Sequence, residues 1–272
     1  MIKKEGLMEP FKREHSSYLT IKPIHESTPL IAGITTRLNG FSKSPYDQFN
    51  MGLHVGDEKQ DVLANREKLA DYLEFPMKNW VISEQVHSNN VKIVTDVDKE
   101  AGVYDIDSAI KGVDGLLTHQ SGILLAGFFA DCVPLYFHDP VTGWIGLAHA
   151  GWKGTVSNIG GSMIRKMSEE GVNPININAV IGPSISKQRY EVNEYVYRNI
   201  PQKYHEDCLT FHKKDHALLD LKALNERLLI DMGISENNIY KSQVCTYEAD
   251  DLYSHRRDQQ HTGRMLGFIG RY

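Results

Sequence analysis

Cysteine is scarce in this sequence, which has only Cys132, Cys208 and Cys245 among its 272 residues. No two of them have CxxC spacing, so the set excludes a disulfide framework and argues against a structural zinc finger. A cysteine with a chemical role is therefore expected to act as a thiolate.

A long apolar run and a secretory leader are also missing. No stretch of about 18 apolar residues occurs, and the first residues, MIKKEGLMEPFKREHSS, contain no apolar core before a small-residue cleavage site. The net charge is −5, and Lys and Arg are scattered, which argues against a nucleic-acid surface. We therefore expect a cytoplasmic protein with a small-molecule partner, and neither a membrane nor a nucleic acid as a partner.

Several cofactor signatures are absent. The sequence has no G-x-G-x-x-G and no Walker loop, so it contains no recognisable binding motif for a nucleotide cofactor. The H-x-E and P-C-x-x-C signature of zinc nucleobase deaminases is absent too. The twelve histidines include no His-x-His pair, and this count argues against a coupled copper cluster.

The patterns that are present predict a single α+β domain over residues 1–272, with mixed sheets and covering helices. With 41% hydrophobic residues, the chain can bury a sizeable core. Apolar periodicity and turn residues predict strands at 18–24, 30–36, 133–137, 144–148, 178–181, 239–246 and 265–269, and helices at 61–74, 155–167, 191–204 and 217–232.

The segments 133–137 and 144–148 flank a turn and predict a buried β-hairpin. Antiparallel pairing would bring Cys132 and His149, at the outer ends of the two runs, to the same end of the sheet. His87 lies at a break between two other strand-like runs. The three side chains would make an open N/S/N metal site, but a Cys–His nucleophile pair and ordinary core residues are alternatives that spacing does not separate.

Arginines also cluster near the C-terminus. Arg256, Arg257 and Arg264 lie on one polar link, and their guanidinium groups suit a doubly charged oxyanion such as phosphate. The alternative is that they form surface ion pairs with the nearby acidic residues Asp250, Asp251 and Asp258.

Six ordered motifs together resemble the laccase-domain "polyphenol oxidase" family. They are Asn50-Met-Gly-Leu-His-Val-Gly-Asp, Gln85-Val-His, Ala130-Asp-Cys-Val-Pro, Ala148-His-Ala-Gly-Trp-Lys-Gly-Thr, Ile181-Gly-Pro and Arg256-Arg-Asp with Thr262-Gly-Arg. The resemblance implies a four-layer α/β/β/α fold and a purine nucleoside phosphorylase that acts on adenosine, inosine, guanosine and methylthioadenosine. It also implies adenosine deaminase activity and a zinc site, with Cu²⁺ as the other candidate metal.

By this resemblance, His87, Cys132 and His149 match the metal ligands of the family and are the candidate catalytic residues. The candidate residues for binding nucleoside and phosphate are Asn50, His54, Gln85, Lys153, Arg256, Arg257 and Arg264. Two departures from the family pattern stand out: Ser184 replaces a cysteine after the Gly-Pro turn, and Gln259-Gln260-His261 stands where a glycine is expected.

Three other functions remain open at this stage. A metal-free hydrolase or amidase would use Cys132 as nucleophile and His149 as base. A zinc-dependent binding protein would hold purines without turnover, and a copper-dependent phenol oxidase is a further alternative. A homodimer is the candidate oligomeric state.

Overall fold

Two mixed six-stranded sheets face each other in the computed structural model, which describes residues 9–22 and 29–272. The strands are β1 (Phe11–His15), β2 (Tyr18–Ile21), β3 (Leu30–Thr35), β4 (Trp80–Ile82), β5 (Val91–Ile93), β6 (Gly115–Thr118), β7 (Ile123–Phe129), β8 (Val133–His138), β9 (Ile145–Ala150), β10 (Asn178–Ile181), β11 (Glu191–Asn193), β12 (Leu209–Lys213), β13 (His216–Leu219), β14 (Ile239–Lys241) and β15 (Met265–Arg271). The α-helices are α1 (Lys59–Leu73), α2 (Trp152–Val156), α3 (Ile159–Glu169), α4 (Glu194–Tyr197), α5 (His205–Cys208) and α6 (Leu221–Asp231).

The strand order of the first sheet is β1-β2-β3-β15-β7-β4, and that of the second is β14-β10-β8-β9-β6-β5. A smaller sheet, β11-β13-β12, lies beside them. Most pairs are antiparallel, but β4 with β7, β5 with β6 and β10 with β14 are parallel. Both large sheets are therefore mixed, as predicted.

Three apolar clusters divide the molecule into four layers. Residues of both large sheets, among them Ile34 and Tyr136, share the central cluster. Leu69 of α1 packs in a second cluster with Phe268, on the outer face of the first sheet. Met163 of α3 packs in a third cluster with residues of α6 and the second sheet. Strands buried on both faces explain the continuous apolar runs in the sequence, and the α/β/β/α prediction is confirmed.

The predicted hairpin is confirmed and consists of β8 and β9. Pro134 lies opposite His149, and Val133 lies opposite Ala150. Because Cys132 directly precedes β8, this register brings its side chain to the end of the sheet where His149 stands.

The predicted helix at 191–204 is wrong. The segment begins with β11, continues as the single turn α4 and ends in a 3-10 turn over Gln202–Tyr204. Asn193 accepts a hydrogen bond from the Val196 N–H at 3.3 Å, so it starts a helix in the middle of the segment. Pro201 then prevents that helix from continuing.

Several other predicted elements have different bounds. The helix at 217–232 begins only at Leu221, because residues 216–219 form β13 and Asp220 caps the helix at 2.9 Å. The helix at 155–167 is divided into α2 and α3 at Asn158, which has a φ of 59°. The strand at 239–246 ends at Lys241.

The predicted strand at 18–24 ends at Ile21, and residues 23–28 lie outside the described residues. The N-terminal segment was expected to lack a secretory leader, and its residues 1–8 also lie outside the described residues. No helix in the described ranges is long and apolar enough to cross a membrane.

Candidate metal centre and its cavity

Three side chains from separate segments converge at one end of the two large sheets. His87 follows β4, Cys132 lies between β7 and β8, and His149 stands on β9; their ligand atoms lie within 4.8 Å of one another. The two imidazole rings meet edge to face, with centroids 4.7 Å apart. Within residues 9–22 and 29–272 this is the one group of three His, Cys, Asp or Glu side chains that converges in this way.

A buried carboxylate, Asp114, organises two of the three segments. Asp114 accepts a hydrogen bond from Nδ1 of His149 at 3.0 Å and from the backbone N–H of His87 at 2.9 Å. It also accepts from the N–H groups of Val86 and Ser88. The carboxylate therefore favours the His149 tautomer with its proton on Nδ1, which leaves Nε2 free for a cation.

The backbone comes close to the cluster at Gly151, just after β9. A Cβ at this position would lie 2.8 Å from Cδ2 of His87 and 3.1 Å from Sγ of Cys132. Glycine at position 151 is therefore required for close packing of the ligand set.

The cluster also shifts the protonation of its members. Burial alone would raise the pKa of the Cys132 thiol, but the charge and hydrogen bonds of His149 and His87 lower it to about 6. Burial alone would lower the pKa of His149, but Cys132 and Asp114 raise it to about 9. Both shifts favour a thiolate beside an imidazolium in the metal-free protein, as in a nucleophile–base pair.

The donor set suits a transition metal. Two imidazole nitrogens and one thiolate are ligands of Zn²⁺ and copper rather than of Mg²⁺ or Ca²⁺. One of the two imidazoles is oriented by a carboxylate, as metal-binding histidines commonly are. Because all three residues line a cavity, a fourth coordination position would face it.

The cavity has a volume of about 420 Å³, within the range of small-molecule sites. Its lining includes the aromatic side chains of Trp152 and Tyr190. It also includes charged groups, among them Glu84, Arg256 and Arg264. The cavity can therefore hold an anion next to an apolar ring.

Four of the predicted substrate residues line this cavity: His54, Gln85, Arg256 and Arg264. The imidazole of His54 has its pKa lowered to about 4, by desolvation first and then by the charges of Arg264 and Arg66. Gln85 uses both ends of its amide on the backbone of Phe128, at 2.7 and 2.9 Å. His54 is therefore neutral at neutral pH and can donate or accept a hydrogen bond.

Three predicted substrate residues are not in the wall of the cavity. Asn50 is fully buried behind it and accepts from the backbone N–H of Arg264 at 2.9 Å. Lys153 is exposed, with its Nζ 5.8 Å from the Trp152 ring. Arg257 is ion-paired with Asp258 at 2.8 Å and donates to three or more backbone carbonyls. Their roles in substrate binding remain predictions.

Several cavity residues were missed by sequence reasoning. Asp131, Trp152 and Tyr190 line the cavity, as does His255. Asp131 precedes Cys132 and has a positive φ of 82°, an uncommon conformation that such residues adopt at functional sites. The neighbouring Cys132 was the available signal for Asp131, whereas Tyr190 lies far from the other site residues in the sequence.

The family model described as "Multi-copper polyphenol oxidoreductase laccase" matches residues 31–272. The chain belongs to this family. Within the described residues, this laccase-family chain has one converging three-donor group.

Curated relatives carry a different name. The chain is 45% identical over 246 residues to "Purine nucleoside phosphorylase YlmD" of Bacillus subtilis strain 168, covering 89% of this chain and 88% of that protein. It is 44% identical to the protein of the same name from Geobacillus stearothermophilus, covering 89% and 90% of the two chains.

Solved structures of the family have the same fold. Bacillus licheniformis hypothetical protein YfiH superposes with a TM-score of 0.94 at 40% identity, over 97% of this chain and 100% of the other. YlmD from Geobacillus stearothermophilus gives a TM-score of 0.93 at 41% identity, over 97% and 99% of the chains. The mixed α+β fold is therefore shared along almost the whole chain.

Proposed function

We propose that this chain is a zinc-dependent purine nucleoside phosphorylase, acting on adenosine, inosine, guanosine and methylthioadenosine. The observation that carries the proposal is the His87–Cys132–His149 group, which opens into a cavity with Arg264 in its wall. The names of the relatives support nucleoside and phosphate as the substrates. We expect the protein to work in the cytoplasm, with a homodimer as the oligomeric state to test by light scattering.

Phosphorolysis needs an anion held against a sugar that becomes cationic as the purine leaves. A bound Zn²⁺ would supply positive charge and Lewis acidity next to the phosphate. Arg264 adds a second positive charge in the same cavity, and Trp152 offers an aromatic face to the purine. Neutral His54 lines the cavity and can donate a hydrogen bond to the departing base or accept one from it.

Adenosine deaminase activity is the finer part of the proposal. Hydrolytic deamination needs a proton acceptor for water and a proton donor for the leaving ammonia. Glu84 lines the same cavity, and its carboxylate can accept the proton from water and return it to the leaving group. One metal centre would then serve both reactions.

The test is an assay of purified protein with inosine and adenosine, with and without phosphate, alongside metal analysis by mass spectrometry. We expect phosphate-dependent release of hypoxanthine and adenine from protein that holds about one zinc per chain. Cys132→Ala should lose metal and phosphorolysis together, whereas Cys208→Ala, a change in the distant core, serves as the control. Zinc and turnover retained in Cys132→Ala would contradict the proposal.

A second candidate, the metal-free Cys–His hydrolase, is favoured by the lowered pKa of Cys132 beside His149. It predicts that chelator-treated protein stays active on an amide substrate and that alkylation abolishes this activity. The same preparations separate the remaining alternatives, because a binding protein would bind purine without turnover and a copper enzyme would oxidise phenols.

A further inference from the structure

The side chain of Arg256 is engaged with the chain on both sides of Tyr190. Its Nη1 donates to the carbonyls of Arg189 and Glu191 at 3.4 and 3.2 Å, and its Nη2 donates to that of Glu191 at 3.3 Å. The guanidinium carbon lies 5.2 Å from the centroid of the Tyr190 ring. Arg256 is exposed at the rim of the cavity, so these hydrogen bonds and the ring contact hold Tyr190 from outside the cavity.

The backbone of Arg256 is fixed in turn by a buried carboxylate. Asp131 is 8% exposed and accepts from the Arg256 N–H at 2.7 Å and from the Thr246 hydroxyl at 2.6 Å. Asp131 is the neighbour of Cys132 in the chain. A continuous set of contacts therefore connects the metal centre to the segment that carries Tyr190.

The hydroxyl of Tyr190, in contrast to its ring and the carbonyls beside it, is not engaged by Arg256. The ring lines the cavity, but no protein hydrogen bond engages the hydroxyl within the described part of the chain. Burial raises the pKa of Tyr190 above its ordinary value, with Cys132 as a further cause, so the hydroxyl stays protonated and keeps its donor. A fixed ring with a free donor is what a substrate-binding residue requires.

Arg264 differs from Arg256 in the hydrogen bonds of its guanidinium group. Its Nη1 donates to the carbonyls of Thr262 and Gly263 in its own segment, at 2.8 and 3.0 Å. Nε and Nη2 of Arg264 make no protein hydrogen bond among residues 9–22 and 29–272. Two groups of Arg264 thus remain for an anion.

We propose that Tyr190 binds the phosphate substrate through its hydroxyl, and that Asp131 and Arg256 are positioning residues that hold Tyr190 in place. Arg264 is then the guanidinium that contacts phosphate, and Arg256 acts through Tyr190. The proposal rests on the phosphorolysis proposed above, and it divides roles among arginines that the sequence alone treats alike.

The test is a double-mutant cycle on zinc-loaded protein, with Tyr190→Phe, Arg256→Gln and the double variant. We expect Tyr190→Phe to lower kcat/KM for phosphate by about 10- to 100-fold, the range for a hydrogen bond to a charged group, with little change in the KM for inosine. Arg256→Gln should have a smaller effect of the same kind. The double variant should be no worse than Tyr190→Phe alone, because both act through one hydroxyl.

Arg256→Lys distinguishes a positioning role of Arg256 from direct binding of phosphate by its charge. A lysine ammonium cannot span the two carbonyls, so it should fail to rescue if Arg256 positions Tyr190, and it should rescue in part if Arg256 binds phosphate by charge. Arg198→Gln, an exposed change directly after α4 that removes the ion pair with Glu194, is the control. Melting temperature and zinc content are measured for every variant, to separate loss of fold from loss of binding.

Calorimetric binding of inorganic phosphate gives an independent readout. Two results would overturn the assignment of Tyr190 while the wild-type protein stays active and phosphorolysis still stands. One is that the losses of the two single variants multiply in the double variant; the other is that Arg256→Lys restores kcat/KM for phosphate. Wild-type protein that neither binds phosphate nor cleaves inosine would overturn both proposals.

Discussion

Replacing Asp114 by asparagine should weaken metal binding without unfolding the chain. In the native site, Oδ2 of Asp114 accepts from Val86 and from the N–H and hydroxyl of Ser88, and Oδ1 accepts from His87 and His149. An asparagine can keep only one of these oxygens. If its oxygen replaces Oδ2, its NH₂ group meets the N–H groups of His87 and His149.

The conflict is relieved when His149 changes tautomer, which places its proton on Nε2 and blocks the atom that would bind a cation. We expect a loss of metal affinity of about 10- to 100-fold, as measured for other residues that orient a metal ligand. The unpaired N–H of His87 should cost about 1–3 kcal/mol of the free energy of unfolding.

The pH dependence of this contact has a definite sign. Burial alone would raise the pKa of Asp114, but hydrogen bonds from His149 and Ser88 lower it below its ordinary value. A lowered pKa stabilises the fold fully above the ordinary value of about 4, and this contribution is lost as the pH falls through the lower folded-state value. Asp114→Asn should remove this part of the acid dependence of unfolding.

The assay is competition with a chromogenic chelator, together with urea unfolding. Asp139→Asn is the matched control, since Asp139 is also fully buried and accepts from Val141 and Thr142, but at the opposite end of the β8–β9 hairpin. It should lower stability and leave metal affinity unchanged. Equal metal affinity in Asp114→Asn and the wild type would refute the argument that this carboxylate orients His149.

Three further outcomes are expected. Gly151→Ala should reduce the zinc content, because its Cβ would lie 3.1 Å from Sγ of Cys132, whereas Gly127→Ala meets only ordinary contacts and should keep the metal. In metal-stripped protein, alkylation of Cys132 should be half-maximal near pH 6 and faster above it, since its pKa is lowered to about 6; a midpoint above pH 8 would be contrary to this. Arg66→Met should lower the free energy of unfolding by about 2–4 kcal/mol in urea titrations, because buried carbonyls lose their donor, whereas the exposed Arg165→Met should change it little.

The hairpin that carries Cys132 and His149 was predictable because its information is local. Two apolar runs and one turn specify both the pairing and the end of the sheet where the two side chains lie. The layered fold, in contrast, came from the resemblance, because no periodicity shows which sheet faces which.

The roles of Asp114 and Tyr190 could not be predicted in the same way. Asp114 meets His149 only because β6 pairs with β9, a contact between segments 35 residues apart. Tyr190 lines the cavity, and Arg256, 65 or more residues along the chain, donates to the carbonyls on both sides of it. Such partners depend on register and packing across the fold, which a single sequence does not display.

The failed helix at 191–204 has a similar cause. Its first residues, Glu191–Asn193, form a short strand that pairs with β13, so tertiary pairing overrides the helical spacing there.

Asp114 bonds to the two segments that carry His87 and His149, and this has a consequence for how the metal binds. The scaffold that carries the ligands is built from sheets with their own apolar cores, so the apoprotein should be a preorganised receptor rather than a chain that folds around its ion. Metal exchange would then be a reversible binding step that leaves the tertiary structure intact, and the supply of metal would set the active fraction of the enzyme without exposing it to degradation.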